Sequence, residues 1–474
     1  MNGGIEAARG ALVGANAWFV GGVVRDRLLA RETADLDIVL DGDPAEAARA
    51  VARAGGRAAC FALSEEFGSW RVVARDHSWQ VDVEPMRGGG LAEDLALRDF
   101  TVNAIAEPLA GGEPIDPLGG LADLSAERLR MAGPGAFVDD PLRVLRMVRV
   151  AVELGFEVEP ETQRAAACSV DALSGVSAER IFGELRRIIA AEAARRGLEM
   201  LSAVGAGAVV LPELEAMRGV EQNRFHHLDV HGHTLAVLER TIELTRKTGV
   251  EPDGELAGAI APHGQAVAAL LNESLADEMS RGEALRWGAL LHDAAKPLTR
   301  ELHPGARVSF IGHDVRGAEL AREVLTRLRA SERLRAHVAA LVRHHLRLGF
   351  LVHEPQPLAR RTVFAYLNSC APVEVDVTLL SIADRLATRG DRAQESIEAH
   401  LQVARGMLAD ALAWRAMGPA QPLLRGDELA RELGIATGPQ VGRLLEELAA
   451  AQYAGELSTR EQALAHARER AATI

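Results

Sequence analysis

Gly21-Gly22-Val23-Val24-Arg25-Asp26, followed shortly by Asp35-Leu36-Asp37-Ile38-Val39, is the stretch on which the fold turns. Trp18-Phe19-Val20 before it reads as a short buried strand. After it, Leu36, Ile38 and Leu40 alternate with Asp35, Asp37 and Val39, the period of a second strand. Residues two apart on a strand share a face, so Asp35 and Asp37 point the same way. Two carboxylates held side by side repel each other unless a cation lies between them. Magnesium takes carboxylate and water oxygens and bridges to substrate phosphates. A paired-metal site of this kind suits in-line displacement at phosphorus. Gly21 and Gly22 let the backbone approach a phosphate closely, and Arg25 can neutralise its charge. A β-turn leading to a solvated strand edge would account for D-x-D alone. The glycine pair and Arg25 at this spacing favour the phosphate site.

Outward from this core, the 474 residues are too many for one hydrophobic core, so about two to four domains are expected. Strands are predicted at 17–20, 35–40, 69–74 and 79–84, with a helix at 44–54. Beyond about residue 120 alanine-rich periodic stretches dominate, which points to a mostly helical protein. These readings give an α+β chain: a small N-terminal mixed β-sheet head over 1–138, then predominantly helical segments. The helical part divides into a neck over 139–218, a histidine-rich domain over 219–406 and a tail over 407–474. Residues 407–424 read as a connection, and Gly254–Gly264, flanked by Pro252 and containing Pro262, reads as a surface loop. The net charge of −14 argues against a generic nucleic-acid coat protein. It leaves room for a nucleic-acid enzyme with its basic groups on one face. Cys60, Cys168 and Cys370 are isolated and odd in number, which fits a reducing compartment without a disulfide framework. No signal peptide and no membrane-length apolar run is read, so a cytoplasmic location is expected. Lysine is confined to Lys247 and Lys296.

Further motifs follow in the head. Asp82 and Glu84 share a strand face opposite Val81 and Val83. Either is a candidate third carboxylate; a strand with one wet face is the alternative. Arg98, Asp99 and Asn103 are polar groups in an otherwise apolar helical pattern. Aspartate can accept from a ribose hydroxyl and arginine can hold a phosphate. Ile115-Asp116-Pro117-Leu118-Gly119-Gly120 leads to Asp123 and Arg130. Asp139-Asp140-Pro141-Leu142-Arg143 then opens a helix. Arg143, Arg146 and Arg149 recur every third residue where the helix dipole disfavours cations. An anion or a base edge nearby explains them better than capping does.

The order G-G-x-x-R-D, D-x-D, R-D-F-T-x-N-A, D-P-x-G-G, D-D-P-L-R-x-L-R resembles the class II tRNA nucleotidyltransferase and bacterial poly(A) polymerase family. The resemblance implies that Asp35 and Asp37 hold catalytic magnesium; the third carboxylate, Asp82 or Glu84, rests on the strand-face reading alone. Gly21, Gly22 and Arg25 resemble the triphosphate-binding element of that family, and Arg98, Asp99 and Asn103 its ribose-contacting motif. Asp140 and Arg143 match the pair that reads the incoming base, with Arg146 and Arg149 following on the same helix. The chain departs from the family at Leu97-Arg98-Asp99, where Arg-Arg-Asp is usual, and at Asp139-Asp140, where Glu-Asp is usual. Cytosine and adenine present an amino donor beside a ring-nitrogen acceptor, whereas uracil and guanine invert that pattern. A carboxylate with a guanidinium can therefore admit CTP and ATP and reject UTP and GTP.

The segment Phe225-His226-His227-Leu228-Asp229-Val230-His231-Gly232-His233 is dense in histidine. His292-Asp293-Ala294-Ala295-Lys296, Gly312-His313-Asp314, His344-His345 and Ala383-Asp384-Arg385 follow. Histidine and aspartate are the usual ligands of divalent transition metals. The order resembles the HD superfamily of metal-dependent phosphohydrolases. That likeness implies one metal on His233, His292, Asp293 and Asp384, and a second on His313 with either His344 or His345. Lys296 falls where such proteins place a phosphate-facing lysine. A helical domain that only supports tRNA is the alternative. The tail resembles the family's RNA-contacting helices. Arg180, Arg186 and Arg187 are candidate tRNA contacts in the neck, or a solvated helix face.

These resemblances imply an enzyme that builds or repairs the 3′ CCA end of tRNA from CTP and ATP. A poly(A) polymerase or an enzyme adding only CC or only A shares the motifs. A phosphohydrolase with a nucleotide-binding head is the alternative from another class.

Overall fold

The computed structural model describes residues 2–32, 35–64, 68–223, 226–246, 254–305, 307–390, 393–418 and 420–471. Phe225, Lys247 and Pro252 lie outside the described residues. Two compact units emerge, Met1–Val210 and Leu211–Ile474. The first carries a six-stranded sheet formed by β1 (Ala17–Val20), β2 (Asp35–Leu40), β3 (Ala59–Ser64), β4 (Ser69–Val73), β5 (Gln80–Pro85) and β6 (Ala106–Pro108). Their order is β3-β4-β5-β2-β1-β6. The sheet is mixed: β2 and β5 run parallel while the other pairings are antiparallel. The helix Pro44–Ala54 supplies the crossover side of this arrangement. Asp43 caps it by accepting from the Ala45 N–H at 2.8 Å, Pro44 suits its first turn, and Ala47, Ala48, Val51 and Ala52 are buried.

Strand β2 is buried at Leu36, Ile38, Val39 and Leu40, with Asp35 exposed and Asp37 half-buried. β3 and β6 escaped the sequence pattern. β3 is a mostly exposed edge strand without alternating burial, and β6 spans only three residues. Periodicity needs a buried face and some length to show itself. The helix Leu91–Ala96 ends before Arg98 and Asp99, so these lie in a turn and not within a helix. Asp99 accepts from the following Phe100 N–H at 2.8 Å, a local bond that competes with helix continuation.

Asp116 accepts from the Gly120 and Leu121 N–H groups at 2.7 and 2.9 Å. A Cβ on Gly120 would meet the Thr101 carbonyl oxygen at 2.1 Å, so only glycine fits there. Thr101 in turn donates to the buried Asp123, which also accepts from Arg128 and Arg130. The D-P-x-G-G motif thus seats the segment that carries Asp99 and Asn103.

In the second unit the helices Val230–Leu244, Arg281–Leu291, Glu332–His344 and Glu374–Ala387 surround a core of Leu, Val, Ile and Ala. Ser280 and Glu283 form a capping box at the start of Arg281–Leu291. The surface loop expected at 254–264 is instead two helices, Gly254–Ile260 and Gly264–Leu271. Leu256, Ile260, Val267 and Leu270 bury against this core, and tertiary packing overrides the glycine and proline signal. The expected connection at 407–424 is helical up to Met417, because Ala393–Met417 is one helix that keeps Met407, Leu408 and Ala411 buried. The last three helices, Gly426–Leu433, Pro439–Tyr453 and Arg460–Ala471, share a small core of their own. Among the described residues no single helix is long and apolar enough to cross a membrane.

Candidate active site and metal centre

In the head, the parallel pairing of β2 with β5 places Asp37 beside Asp82, and the antiparallel pairing of β5 with β4 places Asp82 beside Arg71. Arg71 donates to both oxygens of Asp82 at 2.7 Å each. No sequence signal marked Arg71, because a cross-strand neighbour is set by register alone. Loss of solvation pushes Asp37 up to about 7; Glu84, Asp82 and Asp35 add to the rise and Arg98 opposes it. Such a crowd of oxygen donors, one of them reluctant to ionise alone, fits a divalent cation.

Because a cation must displace the proton on Asp37, its binding weakens as pH falls below about 7. Without the cation, the raised pKa makes the folded state bind more protons than the unfolded chain between the two pKa values. Stability therefore declines as pH rises from about 4 towards 7. Manganese titrations of the full chain at pH 6 and pH 8 check the first expectation, with the tighter affinity at pH 8.

Gly21 adopts φ 75°, and a Cβ there would lie 3.0 Å from Asp37 Oδ2 and 3.4 Å from Arg98 Nη1. The turn thus brings its backbone against the carboxylate that the cation would share. Arg98 is held by Asp94 at 3.1 Å, and Arg87 uses the other oxygen of the same buried Asp94 at 3.3 Å. Asp94 and Arg87 were not picked out from the sequence.

A relay of hydrogen bonds joins the three motifs. Arg25 pairs with Asp26 and donates to Asn103 Oδ1 at 2.7 Å. Asn103 donates to Asp99 Oδ1 at 2.9 Å, and Arg146 donates to Asp99 Oδ2 at 2.7 Å. Burial would raise the Asp99 pKa, but Arg146 and the Asn103 and Phe100 donors hold it well below the usual carboxylate range. Asp99 in turn raises the Arg146 pKa.

Asp140 accepts from the Leu142 N–H at 3.2 Å and from Arg180 at 2.7 Å. Arg143 donates to the carbonyls of Leu97, Arg98 and Ala136 at 2.8, 3.3 and 3.0 Å. The helix itself is Arg143–Leu154, so Asp140 stands just ahead of it in an extended conformation.

Gly21, Gly22, Asp37, Arg98, Asp99, Asn103, Asp140, Arg143 and Arg146 line one cavity of about 200 Å³, with Arg87 and Arg180. Two residues expected to bind nucleotide lie elsewhere. Arg25 is buried behind the turn by its bonds to Asp26 and Asn103. Arg149 is buried between Glu184 at 2.5 Å and Glu153 at 2.9 Å. The anions that the arginine spacing called for are thus partly supplied by the chain: Asp99 for Arg146, and Glu184 and Glu153 for Arg149. Arg187, weighed as an RNA contact, donates to Glu153 at 3.0 Å.

The second unit gathers its histidines around Asp293. His233 Nε2 lies 3.0 Å from Asp384 Oδ1 and 3.7 Å from Asp293 Oδ2. His292 Nε2 is 3.2 Å from Asp293 Oδ2; His313 and His345 Nε2 are 3.4 and 3.9 Å from Oδ1. His233, His292 and Asp293 can converge on one ion, and Asp293, His313 and His345 on another. The Nδ1 atoms of His292, His313 and His345 lie 2.7–2.8 Å from the carbonyls of Ala289, Phe310 and Val342, each three residues back. With the Nδ1 proton committed to a carbonyl, each Nε2 presents its lone pair to the centre. Among the described residues the buried Nε2 atoms of His233 and His292 have no aligned hydrogen bond, which suits a metal ion.

Burial favours a protonated Asp293, but His292 and Lys296 outweigh it and keep the carboxylate ionised. Burial likewise opposes charge on Asp384, and His233 prevails to lower its pKa. Lys296 Nζ lies 2.7 Å from Asp293 Oδ2 and donates to Gln222 at 2.7 Å. Of the two adjacent histidines the structure brings only His345 to the centre. His344 Nδ1 accepts from Arg347 at 2.9 Å and stands outside both groups. A cavity of about 860 Å³ opens onto Asp293, Lys296, His313, His345 and Asp384.

Fold and site define a class: a mixed-sheet head with clustered carboxylates beside a glycine turn, in a chain whose helical second unit gathers histidines and aspartates able to converge on a metal ion. The Poly A polymerase head domain family matches residues 17–130, the family described as a probable RNA and SrmB-binding site of polymerase A matches 155–218, and the HD domain family matches 263–389. The A-adding tRNA nucleotidyltransferase of Deinococcus radiodurans is 37% identical over 455 residues, covering 95% of this chain and 94% of that protein. The CC-adding tRNA nucleotidyltransferase of Thermus thermophilus is 33% identical over 458 residues, covering 95% and 92%. A solved CCA-adding enzyme with ATP shares the fold with a TM-score of 0.61 at 19% identity, covering 99% of this chain and 94% of that one. The chain belongs to the tRNA nucleotidyltransferase family. Its head and HD domains imply the use of divalent metals. The HD match begins at 263 and leaves out His233, which the tertiary structure nonetheless sets against Asp293.

Proposed function

We propose that this chain transfers nucleotides from CTP and ATP to the 3′ end of tRNA, building or repairing the terminal CCA sequence. The observation that carries the reading is one cavity shared by Asp37, the Gly21–Gly22 turn and the Asp140–Arg143 pair. In this reading residues 1–138 are the catalytic head, 139–218 the base-reading and RNA-binding neck, 219–406 the HD domain and 407–474 an RNA-contacting tail. The terminal 3′ hydroxyl of the primer attacks the α-phosphorus, the bond to the bridging oxygen breaks, and pyrophosphate leaves. Magnesium held by Asp35 and Asp37, with Asp82 alongside, would align both oxygens and offset the developing charge. Arg87 and Arg98, both anchored on Asp94, face the triphosphate. Asp99 and Asn103 line the sugar side, where Asp99 holds Arg146 in place and Arg25 braces Asn103 from behind. Asp140 accepts from the exocyclic amino group of cytosine or adenine while Arg143 donates to the ring nitrogen. The activity belongs in the cytoplasm, where the three unpaired cysteines stay reduced.

Asp140→Ala relaxes base choice more than it impairs metal binding. Its CTP/UTP ratio of kcat/KM falls by about tenfold or more, the scale of one lost base contact. Steady-state incorporation with each triphosphate measures this, and an unchanged ratio would remove Asp140 from base reading.

A second reading is partial addition, favoured by the A-adding and CC-adding names of the two relatives above. Three tRNA transcripts, ending at the discriminator base, after one C and after two Cs, separate the possibilities when incubated with labelled CTP or ATP and magnesium. Completion of all three followed by a stop indicates full CCA addition. Extension of only some indicates a partial adder, and long adenosine tails a poly(A) polymerase. No incorporation defeats the transferase reading.

For the second unit we propose a divalent transition metal on His233, His292, Asp293 and Asp384, with His313 and His345 able to hold a second ion that shares Asp293. The metal would supply an activated water for phosphoester hydrolysis. Lys296 faces the phosphate from the cavity wall.

A further inference from the structure

We propose that Arg180, on the neck helix Ala178–Ala190, is a positioning residue that sets base specificity by fixing the carboxylate plane of Asp140. The inference rests on the reading of Asp140 as the acceptor for the incoming base. Asp140 has φ −148° and ψ 100° and belongs to no helix, so its own backbone does little to orient the side chain. Two contacts do so instead. Oδ1 accepts from the Leu142 N–H at 3.2 Å, and Oδ2 accepts from Arg180 Nη2 at 2.7 Å. One donor is local and the other comes from a helix 40 residues along the chain. With a donor on each oxygen, rotation of the carboxylate breaks at least one charge-assisted or main-chain bond.

Arg143 is anchored independently. Its guanidinium donates to the carbonyls of Leu97, Arg98 and Ala136, none of which involves Arg180. The two members of the base-reading pair are therefore held by separate supports, and that of Asp140 includes one side chain. Arg180 also lines the cavity itself, so its grip acts where the base would sit.

The pairing has small value for the fold. The Arg180 side chain is 53% exposed and that of Asp140 26%, and ion pairs at such sites contribute little to stability. Its consequence is orientational. Each carboxylate oxygen keeps one further lone pair when its first is occupied. Those remaining lone pairs point in fixed directions only while both anchors hold. An amino group meets them well, whereas the carbonyl of uracil or guanine meets them as like dipoles. A carboxylate freed on the Oδ2 side can turn away from a carbonyl, and rejection of UTP and GTP weakens.

The test uses the full chain, a tRNA transcript ending at the discriminator base or after two Cs, and all four triphosphates singly. Arg180→Met is expected to lower the CTP/UTP and ATP/GTP ratios of kcat/KM by about tenfold, the lower part of the range for one base contact. The change lies in KM, which falls for UTP and GTP and rises somewhat for CTP and ATP, with kcat for CTP and ATP nearly retained. Arg180→Lys restores part of the ratio because it keeps one donor without the planar fork. Asp140→Ala with Arg180→Met behaves as Asp140→Ala alone, since Arg180 acts through Asp140. The thermal midpoint of Arg180→Met, expected to match that of the unaltered chain because the ion pair is exposed, controls for neck stability.

If Asp140→Ala itself leaves the ratios unchanged, the base is read elsewhere and the underlying assignment fails. If Asp140→Ala relaxes choice while Arg180→Met does not, the inference about Arg180 is overturned and the assignment stands. Equal KM increases for all four triphosphates, or additive effects in the double variant, overturn it as well. The first would mark Arg180 as a phosphate or RNA contact, the second as an independent base contact.

Discussion

Asp37→Ala ends nucleotide incorporation while the HD centre keeps its metal. Asp37 lies next to Asp82 across β2 and β5 and against the Gly21 turn, and it lines the cavity shared with Asp140 and Arg143. It is the carboxylate through which a cation would reach both the primer hydroxyl and the triphosphate. Loss of a preorganised electrostatic group at a reacting centre costs about 10²–10³-fold in rate. Loss of a ligand that holds a metal exceeds that, so a fall of at least about 10³-fold is expected. The variant should fold. Asp37 is half-buried among Glu84, Asp82 and Asp35, and removing one of four crowded carboxylates relieves repulsion. Its thermal midpoint without divalent ions should match or exceed that of the unaltered chain at pH 8, where Asp37 is otherwise forced to ionise. Labelled CTP incorporation and metal analysis of the same preparation check both halves. Incorporation within tenfold of the unaltered chain would sink the placement of the transferase site at Asp37.

Asp293→Asn is expected to strip the metal from the HD centre and to lower stability, with transfer to tRNA preserved. Asp293 is the residue common to both groups of potential ligands and contacts His233, His292, His313 and His345. It also neutralises the buried Lys296 at 2.7 Å. Breaking a buried ion pair by removing one partner costs about 3–5 kcal/mol. Asparagine keeps the shape and one acceptor, so the chain retains its fold with a lowered thermal midpoint. His344→Ala is the contrast. His344 sits beside His345 in sequence but binds Arg347, and its replacement should leave metal content unaltered. Metal analysis after purification with added nickel, manganese or zinc measures both. Full metal content in Asp293→Asn, or loss of it in His344→Ala, would contradict the assignment.

Much of the head was legible without coordinates because its signals are local. The alternation of Asp35 and Asp37 with buried Leu36 and Ile38 in β2, a capped helix at Pro44–Ala54 and the positive-φ turn at Gly21 are written into neighbouring residues. The strands β3 and β6 were not, since one is an exposed edge and the other too short for a period to appear. Helices stand in place of the loop expected at 254–264 for a related reason. Glycine and proline mark local preference, and burial of Leu256, Ile260 and Leu270 against distant helices outweighs it.

Residue types and spacings alone determined the class of chemistry: paired carboxylates after a glycine turn, an Asp–Arg pair ahead of a helix, and an ordered set of histidines and aspartates. Tertiary structure decided which of those side chains meet. It put Arg146 on Asp99 and Arg149 on Glu184, turning arginines that spacing had made equivalent into a cavity residue and a buried strut. It chose His345 over His344, it introduced Arg71 and Asp94, which no motif announced, and it set Arg180, a candidate tRNA contact by sequence, against Asp140. The physical reason is range. Period, capping and turn chemistry act over a few residues, whereas strand register and helix packing bring together groups 40 or more positions apart, as Arg180 and Asp140 are.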